Sequence, residues 1–144
     1  MSEVPVTAWK IGQSSDSLYL LILRDDSGNL LPMSIGACEA LAIWSVMHRE
    51  QGEALGPMTH DLLSDLIDKL GGRLVKVLID DVWNTVYYAK LHLAVDGEVM
   101  TVDARPSDAI AVALRANAPL FASDSVMESP LGPAAPDDPT DESC

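Results

Sequence analysis

Short apolar stretches that end at turn residues predict that much of this chain is β-strand. They occupy residues 4–12, 18–24, 30–35, 73–79, 85–94 and 98–103. The turn at residues 25–29 joins the second stretch to the third, and Asp96-Gly97 is a tight-hairpin signal between the last two. Strands joined by such short turns pair antiparallel, so the pattern predicts hairpins.

Two segments between these groups repeat their apolar residues at helical spacing. The first opens at Gly36, ends near residues 51–52, and is expected to turn these residues inward: Ala40, Leu41, Ile43, Trp44 and Met47. The second takes Thr59 as its N-cap and ends at Gly71-Gly72, residues suited to a left-handed conformation. It carries one apolar face, made of Leu62, Leu63, Leu66, Ile67 and Leu70.

A third helix is predicted from Pro106 to about Ala116, directly after the last strand. Pro106 suits the first helical position, where its missing N–H costs nothing, and Asn117 followed by Pro119 ends the helix. Small residues favour close packing of this helix, either within the chain or across the subunit interface of a homo-oligomer. They are Ala109, Ala111, Ala113 and Ala116.

Hairpins with helices inserted between them predict an α+β fold, with a mostly antiparallel sheet and about three packed helices. The length of 144 residues suits a single domain with one core. We assign this domain to residues 1–128. Residues 129–144 form a proline-rich acidic tail with no apolar pattern, and this composition predicts disorder.

Charge and cysteine content limit the partners and the compartment. The net charge is −13, and the domain stays acidic without its tail, because six of the 22 acids follow residue 123 and no Lys or Arg does. Proteins that bind the nucleic-acid backbone usually present a basic surface, so any contact with nucleic acid is expected to be weak or transient.

No stretch approaches the ~20 apolar residues of a membrane span. With two cysteines and no secretory signal at its start, the chain is expected to be cytoplasmic.

Charged residues are concentrated at the corner between the last predicted strand and the third helix. Asp103, Arg105 and Asp108 fall within six residues there, and Pro106 holds Arg105 in an extended conformation. Two carboxylates at one turn could bind Mg²⁺ or Mn²⁺, since these ions take oxygen ligands and often use only one or two carboxylates. Arg105 could then hold a phosphate in its planar fork.

A structural role explains the same carboxylates. Glu39, Asp61 and Asp108 each fall in the first turn of a predicted helix, where unpaired N–H groups and the helix dipole stabilise negative charge by about 0.3–1 kcal/mol. In this interpretation Asp108 caps its helix and Arg105 pairs with Asp103. His60 is the best candidate for acid–base chemistry, since histidine titrates near neutral pH, although it could equally be an exposed residue of the first turn.

Several blocks of the sequence resemble the bifunctional nuclease domain family. The run DARPSDAIAVALR followed by APLF is the most specific block, and three others precede it in the expected order: LPMSIG, PMTHDLL and VYYAKL. The resemblance covers roughly residues 4–127. It implies a nuclease that hydrolyses phosphodiester bonds in DNA or RNA.

Two hypotheses follow for the function. The first is a metal-dependent nuclease with Asp103 and Asp108 as metal ligands, Arg105 as a phosphate clamp and His60 as a base. The second is a non-catalytic oligomeric module that binds a protein or a small ligand. The acidic surface and the capping explanation of each carboxylate support the second hypothesis.

Overall fold

The architecture comes from a computed structural model that describes residues 2–13, 18–49 and 56–128. Within these ranges the chain forms seven strands and four helices. In order they are β1 (Glu3–Gln13), β2 (Leu18–Asp25), β3 (Leu30–Gly36), α1 (Ala37–Met47), α2 (Thr59–Lys69), β4 (Gly72–Trp83), β5 (Val86–Val95), β6 (Glu98–Ala104), α3 (Pro106–Ala116), β7 (Leu120–Ser123) and α4 (Asp124–Glu128).

The described strands form one sheet in the order β3-β2-β1-β7-β4-β5-β6. Neighbours pair antiparallel except β4 and β7, which are parallel. The parallel pair arises because α3 carries the chain from β6, at one edge, back to the middle of the sheet. β7 then inserts between β1 and β4, so that α3 lies across the sheet and not beside it.

The core lies on one face of this sheet. Leu120, Val77 and Leu91 are cross-strand neighbours on that face, and all three are buried. α3 packs against β4 and β5 there, and its small residues let it lie close to the strands. Six of its eleven residues are buried: Ser107, Ala109, Ile110, Ala111, Val112 and Ala113. Ala109, Ala111 and Ala113 therefore pack within the chain, whereas Ala116 is exposed.

The structure confirms the predicted α+β class and its antiparallel hairpins, with two additions. β7 and α4 follow Pro119 and were not predicted, because a short run of three apolar residues does not by itself distinguish a strand from a loop. Asn117 ends α3 in the left-handed conformation (φ 55°), as expected. The predicted tail, residues 129–144, lies outside the described residues.

Two helix details differ from the predictions. α1 ends at Met47, and Leu41 is 47% exposed because Ala40 and Ile43, three residues apart, occupy the inner side of the helix. Trp44 and Met47 are only half-buried. α2 has Met58 as its N-cap instead of Thr59. The Met58 N–H donates a 2.7 Å hydrogen bond to Asp61 Oδ2, which places Asp61 at the third helical position and not the second.

The apolar face of α2 lies outside the core. None of the residues of α2 is buried. Its three leucines and the C-cap residue that follows it are between 43% and 79% exposed: Leu62, Leu63, Leu66 and Leu70. Its inner side instead carries His60, Ser64 and Ile67. Across the described ranges, no helix is long and apolar enough to cross a membrane.

Candidate functional site

The first turns of α1, α2 and α3 meet at one corner of the molecule. Each contributes an ionisable side chain: Glu39 from α1, His60 from α2 and Asp108 from α3. Arg105, the N-cap residue of α3, lies beside them. The polar starts of three helices thus form one cluster, although their residues are up to 69 positions apart in sequence.

A histidine–aspartate pair lies at the centre of this cluster. His60 Nε2 is 2.9 Å from Asp108 Oδ1. The His60 side chain is 12% exposed and the Asp108 side chain 32% exposed. A neutral imidazole that donates its Nε2 proton to Asp108 carries its lone pair on Nδ1, and can accept a proton there. The carboxylate fixes the orientation of the ring, which is the arrangement that general-base histidines use.

Arg105 joins this pair to Glu39. Its Nε donates to Asp108 Oδ2 at 2.9 Å, and its Nη2 lies 3.3 Å from Glu39 Oε2. Glu39 folds back over the start of α1, where a Cβ at position 36 would lie 2.5 Å from Glu39 Oε1. Gly36 leaves that space open. The Arg105 side chain remains 66% exposed, so its guanidinium can meet a ligand from solvent.

These contacts keep Asp108 ionised. Burial opposes ionisation of Asp108, but hydrogen bonds from Arg105 and His60 outweigh it and lower the pKa of the carboxyl below its usual 3.8. The hydrogen bond to Asp108 raises the pKa of Arg105. The site at neutral pH is therefore a carboxylate held between an imidazole and a fixed guanidinium cation.

A second cluster adjoins the first at Asp61, the residue after His60. Arg115 Nε donates to Asp61 Oδ1 at 2.7 Å, and Arg49 Nη2 lies 3.3 Å from the same oxygen. Arg115 is 3% exposed and also donates to the Ala111 carbonyl at 3.0 Å. Burial opposes ionisation of Asp61, yet the Met58 amide and Arg115 together lower its pKa. This cluster fixes the start of α2 against α3.

An open cleft of about 890 Å³ extends from this second cluster. Arg49, Arg73 and Arg115 line it, together with acidic residues of α2 that include Asp61, Asp65 and Asp68. The cleft is mixed in charge. Folding nevertheless brings three arginines to this cleft in an acidic protein whose sequence contains no linear basic cluster.

Asp103 lies on the other face of the sheet from Asp108. It pairs with Lys90 across β5 and β6, whereas the next residue, Ala104, pairs with the buried Ala89 on the core face. Because side chains alternate along a strand, Asp103 points away from α3. Its side chain is 88% exposed and lies 3.3 Å from Lys90 Nζ. The hydrogen bonds that Lys90 donates to Asp80 and then to Asp103 raise the pKa of Lys90.

The predicted metal pair does not fit one ion in this arrangement. Both oxygens of Asp108 already accept from His60 and Arg105, and Asp103 projects from the opposite face. Within the described part of the chain, no group of three or more His, Cys, Asp or Glu side chains is placed to hold a metal. The requirement for Mg²⁺ or Mn²⁺ stays a prediction.

The structure thus brings together three of the four predicted site residues, His60, Arg105 and Asp108, and separates Asp103 from them. Arg105 pairs with Asp108 and Glu39 and not with Asp103, and Asp108 makes no side-chain cap to its own helix. Sequence reasoning missed Arg115 and the link from Glu39 to Arg105. A weak signal was present, since Glu39, His60, Asp61 and Asp108 all fall in first helical turns.

Comparison with known proteins adds a family to this geometry. The family model described as bifunctional nuclease domain matches residues 21–131. A Mycobacterium tuberculosis protein described as uncharacterized is 34% identical over 142 residues, which are 99% of this chain and 83% of that protein. Bifunctional nuclease 2 of Arabidopsis thaliana is 28% identical over 107 residues, 72% of this chain. Bifunctional nuclease 1 of Oryza sativa subsp. japonica is 25% identical over 105 residues. The match covers 32% of each plant protein, about a third of its length.

Proposed function

The chain belongs to the bifunctional nuclease domain family, and from this premise we propose that it hydrolyses phosphodiester bonds of DNA or RNA at the His60–Asp108–Arg105 cluster. The observation that carries the proposal is the 2.9 Å contact between His60 Nε2 and Asp108 Oδ1, with a solvent-exposed arginine on the second carboxylate oxygen. This combination supplies a base, an orienting carboxylate and a phosphate-binding cation.

The reaction needs a proton acceptor and a group that stabilises charge on phosphate. His60 Nδ1 takes a proton from water as the water oxygen bonds to phosphorus and the bond to the leaving sugar oxygen breaks. Asp108 stabilises the resulting imidazolium. The leaving oxygen takes a proton from solvent, and His60 then returns its own proton to solvent. Arg105 holds the non-bridging oxygens, on which negative charge develops, since a planar guanidinium matches a phosphate oxygen pair.

The neighbouring cleft provides a path for the rest of the substrate. Arg49 and Arg73 line it. A DNA or RNA strand whose scissile phosphate lies at Arg105 could therefore place a neighbouring phosphate in the cleft. Asp61, Asp65 and Asp68 share the cleft and weaken its attraction for a polyanion. This balance supports the expectation that nucleic acid binds weakly or transiently.

A cleavage assay tests the proposal. Circular DNA and a structured RNA are incubated with purified wild type, His60→Gln, Asp108→Asn and Asp103→Asn, each in Mg²⁺, Mn²⁺ or EDTA. Asp26→Asn, in the exposed turn between β2 and β3, is the matched control. We expect His60→Gln and Asp108→Asn to cleave about 10²–10⁴-fold more slowly than wild type, while Asp26→Asn cleaves at the wild-type rate.

The remaining outcomes distinguish the alternatives. Undiminished cutting by His60→Gln would contradict the proposed base. Loss in Asp103→Asn together with inhibition by EDTA would favour the predicted metal pair over the histidine–aspartate site. No cutting by any preparation would favour the non-catalytic binding module.

A further inference from the structure

The strongest feature outside the site is an apolar surface that nothing in the described chain covers. Leu63 and Leu66 of α2 and Leu70, its C-cap residue, are 43%, 46% and 79% exposed. Met100 and Val102 of β6 are 47% and 42% exposed. We call these five residues the leucine edge. From it we infer that the protein self-associates, with the leucine edge of one copy packed against the same surface of a second copy.

The two parts of the leucine edge lie side by side. At one end, His60 at the start of α2 contacts Asp108, four residues after the end of β6. At the other end, Gly72 directly follows α2 and its short turn, and pairs with Val95, from which a turn leads into β6. Since both ends of α2 are tied to the two ends of β6, the helix runs along that edge of the sheet.

The β6 residues belong to the face that other strands bury. Met100 pairs with Leu93 and Val102 pairs with Leu91, so they share the core face. Among the described residues no helix packs extensively against β6, and all of its positions except Ala104 are exposed. β6 therefore has an apolar face that no helix covers, and it lies beside α2, which has an apolar face that no other element covers. Both faces need a second layer of structure to be buried.

The unpaired edge of β6 also supports self-association. Natural edge strands are usually protected by lysine, proline or a bulge. β6 is a terminal strand of the sheet, and it has neither lysine nor proline and no bulge in its register with β5. An edge without such protection is available for pairing with another chain.

Charge argues against two of the other possible occupants, a membrane and nucleic acid, while the like charges of two copies leave apolar contact as the only attraction between them. The charged residues of α2 are Asp61, Asp65, Asp68 and Lys69, a net charge of −2 from three acids and one base, in a chain of net charge −13. Helices that lie on membranes are typically rich in Lys and Arg, and nucleic acid likewise requires cations. A second copy needs only apolar contact between identical patches, which a two-fold axis supplies.

The area sets the expected strength of this association. Five side chains with about half of their surface exposed amount to roughly 400 Å² per copy, a size at which apolar patches mark interaction sites. Doubling this area gives roughly 800 Å², which is less than the ~1,000 Å² of a stable complex and is in the range of weak, transient contacts. A dimer with a dissociation constant in the micromolar range is therefore expected.

The test is a concentration series of the full chain by sedimentation and light scattering, from about 1 to about 300 µM, which brackets a micromolar constant. Leu66→Glu and Met100→Glu are compared with Leu41→Glu, whose leucine on α1 is 47% exposed and so matches Leu66. We expect Leu66→Glu and Met100→Glu each to weaken self-association by about thirtyfold or more, as for a central interface residue. Leu41→Glu should behave as wild type.

Circular dichroism checks whether each variant is folded. A wild type that stays monomeric throughout the series overturns the inference, and so does equal weakening by Leu41→Glu. A dimer that Met100→Glu leaves intact removes β6 from the interface and overturns it as stated. Binding of a monomeric wild type to anionic or neutral lipid vesicles would assign the surface to a membrane instead.

Discussion

Helices α2 and α3 have the same length and adjacent positions, but opposite relations to the core. Each has eleven residues and an apolar face in its sequence. Six residues of α3 are buried, whereas none of α2 is. The alanines of α3 let it lie directly on the sheet, while the bulky leucines of α2 face outward. An apolar stripe thus predicts a helix and a need for burial, but not which layer supplies that burial.

The largest expected contrast between the two helices is in stability. Ile110→Ala in α3 removes a side chain with no solvent exposure and should reduce the free energy of unfolding by about 2–5 kcal/mol. Leu63→Ala in α2, 43% exposed, should change it by no more than about 0.5 kcal/mol. Urea unfolding measures both, at a concentration low enough to keep the chain monomeric. Equal losses would show that α2 belongs to the core after all.

A smaller effect is expected at the contact that fixes α2 on α3. Asp61→Asn removes the charge that pairs with Arg115, which is 3% exposed, and should cost about 1–3 kcal/mol of unfolding free energy. Asp65→Asn is the matched control, because Asp65 pairs with Lys69 on the surface, both more than 60% exposed, and surface pairs contribute little. If the two variants lose the same amount, the Asp61 cluster does not hold the helices together.

The smallest expected effect is on the pH dependence of the unfolding free energy, through Asp61 of α2 and Asp108 of α3. The pKa values of Asp61 and Asp108 are both lowered in the folded chain, so their contribution to stability is present above the usual carboxyl pKa of 3.8 and is lost as the pH falls through the lowered values. Wild type should therefore lose stability below about pH 4. Urea unfolding at pH 7 and pH 3 measures this loss, which should be smaller in Asp61→Asn and in Asp108→Asn. An unchanged loss in both would contradict the ionised pairs.

The candidate site shows a similar division between sequence and structure. The charged corner at residues 103–108 was visible in the sequence, and so were His60 and the first-turn acids. That His60 would meet Asp108 and not its neighbour Asp61 was not, because 48 residues separate them and adjacent helix residues point in different directions. The separation of Asp103 from Asp108 follows from strand alternation, but only once the register of β6 is known.

The sequence by itself determined the local structure of this protein. Turn residues, the proline at the start of α3, Gly36 before α1 and the periodicity of apolar residues defined the strands and helices, because these are properties of neighbouring residues. The tertiary structure alone decided which apolar faces are covered, which carboxylate meets which cation, and where β7 joins the sheet. Those outcomes depend on contacts between distant segments, and both the candidate site and the leucine edge are built from such contacts.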